Sequence, residues 1–258
     1  MVSFRFWLAA AGAAVLALAT TTSAVAVPTG DGSAGSTDSS TSTSAAQPAL
    51  QVLTIGDSIM NGHALDPSQA WPDLLAAQDG WTLTNFGCDG AGVIAIGGGK
   101  CSSDYSGIIS SVAGTHPDIV IFEGSSNDFG QDNTELLQDT VADLKAVKLE
   151  FPSAEIVGLS TLWGSTAPPE QLAQVNAQVK EAVAEVGGTY LDIGQPMQGH
   201  PELMQADDVH PNVAGQVVLA TTIQSALQKV IAKAIANQHV ESVRVSTVQD
   251  LVSHGLVQ

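Results

Sequence analysis

Gly56-Asp57-Ser58 closes the apolar run Val52-Leu53-Thr54-Ile55, and far downstream the chain reads Asp207-Asp208-Val209-His210-Pro211. A serine hydroxyl is a weak nucleophile until a base takes its proton, and a neutral imidazole does this best when a carboxylate fixes its tautomer from the other ring nitrogen. Asp207 and His210 bring both groups within one turn of chain, so Ser58, His210 and Asp207 are the candidate nucleophile, base and orienting carboxylate. Gly-Asp-Ser on its own is also an ordinary surface turn. Its place at the end of an apolar run favours the chemical reading.

Two more segments follow apolar runs and carry oxyanion-type donors. Asn85-Phe86-Gly87-Cys88-Asp89-Gly90 comes after Trp81-Thr82-Leu83-Thr84, and Ser125-Ser126-Asn127-Asp128 comes after Asp118-Ile119-Val120-Ile121-Phe122. A tetrahedral oxyanion needs preorganised N–H donors. A strand-end glycine amide, an asparagine side chain and the nucleophile's own N–H supply three.

In these blocks the chain resembles the SGNH (GDSL-type) hydrolase family, over most of residues 50 to 216. The resemblance implies Ser58 as nucleophile, His210 as base, Asp207 as third triad member, and an oxyanion hole from the Ser58 and Gly90 amides and the Asn127 side chain. Pro211-Asn212 and Gly215 also fit the family's last block. Two positions depart from its pattern. Ser125 stands where the family usually has Gly, and a side chain there would narrow the pocket floor or shift the Asn127 amide. Asp208 stands where many members have Gly, which makes it the rival for the orienting carboxylate.

Other readings of the same residues are weaker. An α/β-hydrolase elbow would read Gly-x-Ser-x-Gly, but Met60 takes the last place. A phosphoesterase metal centre built on Asp57, Asp89, Asp128, Asp207, Asp208 and His210 would want more histidine ligands, so neither a metal nor any cofactor is expected. Of the six histidines, only His210 has a carboxylate at the family's spacing. Asp57 and Asp128 read as acids that hydrogen-bond loop backbone.

Residues 1–26 have the pattern of a secretory leader: Arg5, an apolar stretch from Phe6 to Leu18, and Ala24-Val25-Ala26. The apolar stretch is short for a membrane span, so export without stable insertion is expected, with or without surface attachment. Residues 27–48, rich in Ser, Thr and Gly, read as a linker, 49–238 as one catalytic domain, and 239–258 as a tail of open structure (edge strand, helix or disordered). Two cysteines in an exported chain favour a Cys88–Cys101 disulfide, which would contribute about 3 kcal/mol by the chain-entropy model and stiffen the Gly90 loop. Zinc would need further ligands.

Strand-like runs near 50–55, 81–86, 118–123, 155–160 and 189–193 alternate with helical patterns near 70–78, 104–113, 134–149, 170–186 and 212–236. Alternation of this kind predicts an α/β fold, a three-layer sandwich on a central five-stranded parallel sheet with the motifs at its carboxyl edge. The strand order 2-1-3-4-5, flavodoxin-like, is implied by the resemblance alone. Leu172, Val175, Val179, Val183 and Val186 form one core stripe, and Val217, Leu219, Ile223, Leu227, Val230, Ile231 and Ile235 a second.

The formal charge is -18, and without the leader, which holds Arg5 and no acid, it would be -19. Lacking a basic patch, the surface does not suit nucleic acid or anionic membrane. The expected substrate is a small-molecule or carbohydrate ester, with Trp71, Trp163 and Tyr105 as candidate sugar-stacking rings. Hydrolysis of short-chain acyl esters is the leading expectation. Alternatives are an O-acyltransferase, a lysophospholipase or lipase-like esterase, and a non-catalytic carbohydrate-binding module. The sequence leaves the oligomeric state open.

Overall fold

The computed structural model describes residues 48–99 and 101–253. The leader and nearly all of the linker lie outside the described residues. Five strands, β1 (Gln51–Gly56), β2 (Thr82–Gly87), β3 (Ile119–Glu123), β4 (Glu155–Leu159) and β5 (Thr189–Leu191), form one all-parallel sheet in the order β2-β1-β3-β4-β5. The expected α/β fold and strand order both hold. The helices are α1 (Ser58–Asn61), α2 (Trp71–Asp79), α3 (Tyr105–Ser111), α4 (Asn133–Glu150), α5 (Gln171–Glu185) and α6 (Val213–Ser253).

Each strand side chain points to the opposite face from its neighbour, and the two faces build separate cores. Leu53, Ile55, Val120, Phe122 and Ile156 pack with apolar residues of α3, α4 and α5. Val52, Ile119, Ile121, Val157 and Leu159 pack with those of α1, α2 and α6. Central strands buried on both faces therefore read as near-continuous apolar runs, as β1 and β3 do. Each fully buried Leu, Ile, Val or Phe contributes about 1.5–3 kcal/mol, which makes these two layers the main source of cohesion.

The α5 stripe is buried at Leu172, Val175, Val179 and Val183. On α6 the buried line is Leu219, Ile223, Leu227, Val230 and Ala234, whereas Val217 is half exposed and turned away from the sheet, contrary to the sequence reading. α6 then continues as one helix to Ser253, past the point where the periodicity fades. No proline interrupts residues 213–253, and the only glycine there is Gly215 in the first turn. Its middle is tied to the amino edge of the sheet by Lys233 Nζ and Asn237 Nδ2 on the Glu155 carboxylate (2.6 and 2.9 Å) and by Gln238 Nε2 on Asp118 Oδ2 (2.7 Å).

Trp71 and Tyr105 are fully buried core residues. They are out of reach of any sugar, which corrects their candidacy; Trp163 is partly exposed and stacks on Phe129, ring centroids 5.2 Å apart.

One core residue of α4 makes stability depend on pH. Asp143 is buried, its Oδ2 has no hydrogen-bonding partner among the described residues, and burial, reinforced by Asp104, Asp139 and Asp128, pushes its carboxyl up to about 8. A folded-state value above the unfolded one means that folding is favoured by the proton. The penalty is absent below the ordinary carboxylate range and grows as pH rises towards 8. Asp143→Asn is expected to raise Tm at pH 8 and to change it little at pH 4. Thermal unfolding at the two pH values checks this, and equal shifts at both would refute it.

Candidate active site

β1 ends at Gly56, and the chain turns at once into the single-turn helix α1. Asp57 caps that helix by accepting from the Ile59 N–H (2.8 Å), the usual role of a short acid at a helix start. The cap fixes Ser58 at the carboxyl end of β1, which lies inside the sheet between β2 and β3. There Ser58 Oγ lies 2.9 Å from His210 Nε2. His210 Nδ1 lies 2.8 Å from Asp207 Oδ2, and Asp207 Oδ1 accepts from the Val209 and His210 N–H groups (3.0 and 3.1 Å).

The hydrogen bond to the His210 imidazole, with smaller help from those backbone donors, holds the Asp207 carboxyl well below the usual carboxylate range. Asp208 does not meet the imidazole. Its backbone is left-handed (φ 55°), a conformation Asp tolerates better than most residues, and its Oδ1 accepts from the Ser165 N–H (3.2 Å). It anchors the loop after β4.

Gly90 and Asn127 line the same cavity as Ser58 and His210, about 330 Å³ in volume. Gly90 has φ 77°, where a Cβ would be strained. Asn127 Nδ2 donates to the Ala91 carbonyl (2.9 Å), which aims the amide while leaving its second hydrogen for another acceptor. Beneath them Asp128 accepts from three successive N–H groups, those of Val93, Ile94 and Ala95, at 2.8, 3.0 and 2.9 Å.

 Burial raises the Asp128 carboxyl, and the three backbone bonds pull it back only in part. A Cβ on Gly92 would fall 2.4 Å from Asp128 Oδ1, so the loop closes on the acid only with glycine there. Cys88 and Cys101 are joined by a disulfide across the same loop. The reading of Asp57 and Asp128 as acids that hold backbone agrees with these contacts.

Ser125 is fully buried and does not line the cavity. Its Oγ lies 2.7 Å from Asp57 Oδ2 and 3.0 Å from the Ala91 carbonyl, and it accepts from the Asn127 N–H (3.1 Å). The hydroxyl thus links the α1 cap, the Gly90 loop and Asn127. Burial is the main cause that raises the Asp57 carboxyl, with the Ser125 and Ile59 hydrogen bonds opposing it.

His63 is one of the residues that sequence reasoning misses. It lies in the loop after α1, stacks on His210 and contacts Asp89; no periodicity or motif marks it, because the contact exists only once the loops around residues 63 and 210 converge. Among the described residues, no group of three or more His, Cys, Asp or Glu is arranged to hold a metal ion. No described helix is long and apolar enough to cross a membrane. Two larger clefts, about 590 and 900 Å³, open among residues that precede the strands, such as Leu50, Trp81 and Asp118. They lie at the amino edge of the sheet, away from Ser58.

A hydroxyl, an imidazole and a carboxylate linked in a row, with Gly90 and Asn127 lining the same cavity, form an arrangement of the kind that acyl transfer uses. Comparison with known proteins agrees with that chemistry at the level of family. The chain is 27% identical over 190 residues to the GDSL lipase Rv0518 of Mycobacterium tuberculosis, covering 67% of this chain and 79% of that protein. Its fold is similar to that of the psychrotrophic esterase EstA from Pseudoalteromonas (TM-score 0.57, 17% identity, 71% of this chain and 99% of that one). It is also similar to phospholipase A1 from Streptomyces albidoflavus (TM-score 0.52, 17% identity, 69% and 100%). The model of the GDSL-like lipase/acylhydrolase family matches residues 54–218, and the chain belongs to that family.

Proposed function

We propose that this protein is an exported serine esterase that removes short acyl groups, with O-acetylated carbohydrate as the best-fitting substrate class. In this reading His210 Nε2 takes the proton of Ser58 Oγ as the oxygen attacks the ester carbonyl. The Ser58 and Gly90 amides and the Asn127 side chain receive the oxyanion. The bond to the alcohol then breaks, and the imidazolium gives its proton to the leaving oxygen. A water molecule, activated by the same imidazole, releases the acid from Ser58.

The observation that carries this reading is the 2.9 Å approach of Ser58 Oγ to His210 Nε2, with Asp207 on the other ring nitrogen. Acyl size is argued from space. The cavity at Ser58 is near the lower end of the range for small-molecule sites, about 300–1,000 Å³. The adjoining pocket beside Ile59 and Trp163 measures about 30 Å³, the share of one water molecule in the liquid, ~30 Å³. An acetyl group suits that space better than a long chain. Export is supported by the leader pattern and by the disulfide, which persists in oxidising compartments. The acidic surface suits an uncharged polysaccharide.

Turnover of p-nitrophenyl esters of increasing chain length, alongside acetylated xylan, tests the reading: rates should fall as the acyl chain lengthens, with free acetate as product. Transfer of the acyl group to an added oligosaccharide in place of water would instead mark an acyltransferase. Ser58→Ala should lose labelling by a fluorophosphonate probe and reduce kcat by about 10³-fold or more; labelling that persists would remove Ser58 from its role. Asp207→Asn should lower kcat by about 10²- to 10⁴-fold through loss of the correct tautomer, while Asp208→Asn, which touches only the Ser165 loop, should cost far less. The reverse ranking, measured by steady-state kinetics, would move the orienting role to Asp208.

A further inference from the structure

A second imidazole covers one face of the first. The His63 and His210 ring centroids are 4.2 Å apart and their planes 28° from parallel. His63 Nδ1 meets Asp89 Oδ2 at 2.7 Å, and Asp89 Oδ1 accepts from Asn61 Nδ2 at 2.9 Å. Burial pushes the Asp89 carboxyl up, but the hydrogen bonds from Asn61 and His63 outweigh it and leave the group below its ordinary range. The backbone of His63 is fixed as well. Its N–H donates to the Ser58 carbonyl (2.9 Å), and its own carbonyl accepts from Gln205 Nε2 (2.8 Å), which also reaches the Pro211 carbonyl (3.1 Å). Two carboxylate–imidazole pairs therefore lie face to face, and His210 is the one bonded to Ser58.

Hydrogen bonds at its two ring nitrogens yield to small rotations of the His210 ring about its Cβ–Cγ bond, a soft torsion, and leave it that freedom. Asp207 cannot remove this freedom, since it lies in the same short loop and is 45% exposed. A flat, tethered ring against one face does remove it. An imidazole rotated about Cβ–Cγ directs its Nε2 lone pair away from Oγ, and proton transfer depends steeply on that alignment. We propose that His63, anchored by Asp89, is a positioning residue that braces the His210 imidazole for proton transfer with Ser58. The proposal rests on the serine-esterase reading above.

The test uses the full chain and p-nitrophenyl acetate. His63→Ala should lower kcat about tenfold to hundredfold, the scale of a small misplacement, and leave KM nearly unchanged. His63→Phe keeps a flat ring without ring nitrogens and should restore most of the lost kcat, whereas Asp89→Ala should fall between the two. In a Ser58→Ala background, the downfield NMR signal of the His210 Nδ1 proton should persist with His63→Phe and shift or broaden with His63→Ala. An unchanged kcat in His63→Ala, a loss confined to KM, an equal loss in the Phe variant, or an unmoved Nδ1 signal would each overturn the brace. If Ser58→Ala turned over substrate as well as the wild type, the esterase reading would fail, and the NMR comparison would still decide the brace.

Discussion

The hydrogen bond between Ser58 and His210 joins positions 152 apart in the chain, and the two residues ride on different elements. Holding them at 2.9 Å requires that α6 sit in one place relative to α1. Gln216, buried on the first turn of α6, does much of this. Its Oε1 accepts from the Trp71 N–H and its Nε2 donates to the Ile59 carbonyl, both at 2.9 Å. A buried carboxamide left without partners costs about 1–3 kcal/mol, so α6 has one favourable depth against α1 and α2. Leu219, Ile223 and Leu227 then lock that depth by packing on the sheet.

The opposite wall of the cavity is held by buried acids. Asp128 gathers three backbone donors of the Gly90 loop, and Asp57 gathers the α1 cap and Ser125. Burial raises both carboxyls above their ordinary values. Glu123, at the end of β3, goes further: neither of its oxygens finds a partner among the described residues, and burial, with Asp57 adding repulsion, pushes it well up. A charged carboxylate in such a place is costly unless it is hydrogen-bonded. The geometry of the donor loops is thus paid for by acids that are poor chemical participants and good scaffolding.

Much of the molecule is legible in the sequence because strands buried on both faces leave apolar runs, and helices leave stripes. The strand order is not legible there, since periodicity carries no information on which strands are neighbours. The full span of α6 was obscured by Val240, Val243, Val245 and Val248, whose β-branched side chains weaken a helical signal although nothing breaks the helix. At the site, motif spacing pointed to Asp207 and His210, and a left-handed backbone explains why Asp208 turns elsewhere. His63, Gln205 and Gln216 escaped notice because each acts across a tertiary contact. Ser125 marks a departure in the sequence, but it lies beneath the cavity, bonded to Asp57 and the Asn127 N–H, and does not form the pocket floor.

The position of His210 near the start of the last helix sets when the molecule becomes competent. Closing a contact across so long a stretch of chain is entropically unfavourable until other packing supports it, and the support here comes from Leu219 to Ala234 of α6. A growing chain carries Ser58 early, but the Ser58–His210 contact forms only once α6 has emerged and docked. That contact is then a report on completed folding, because neither of its partners can find the other before the helix is in place.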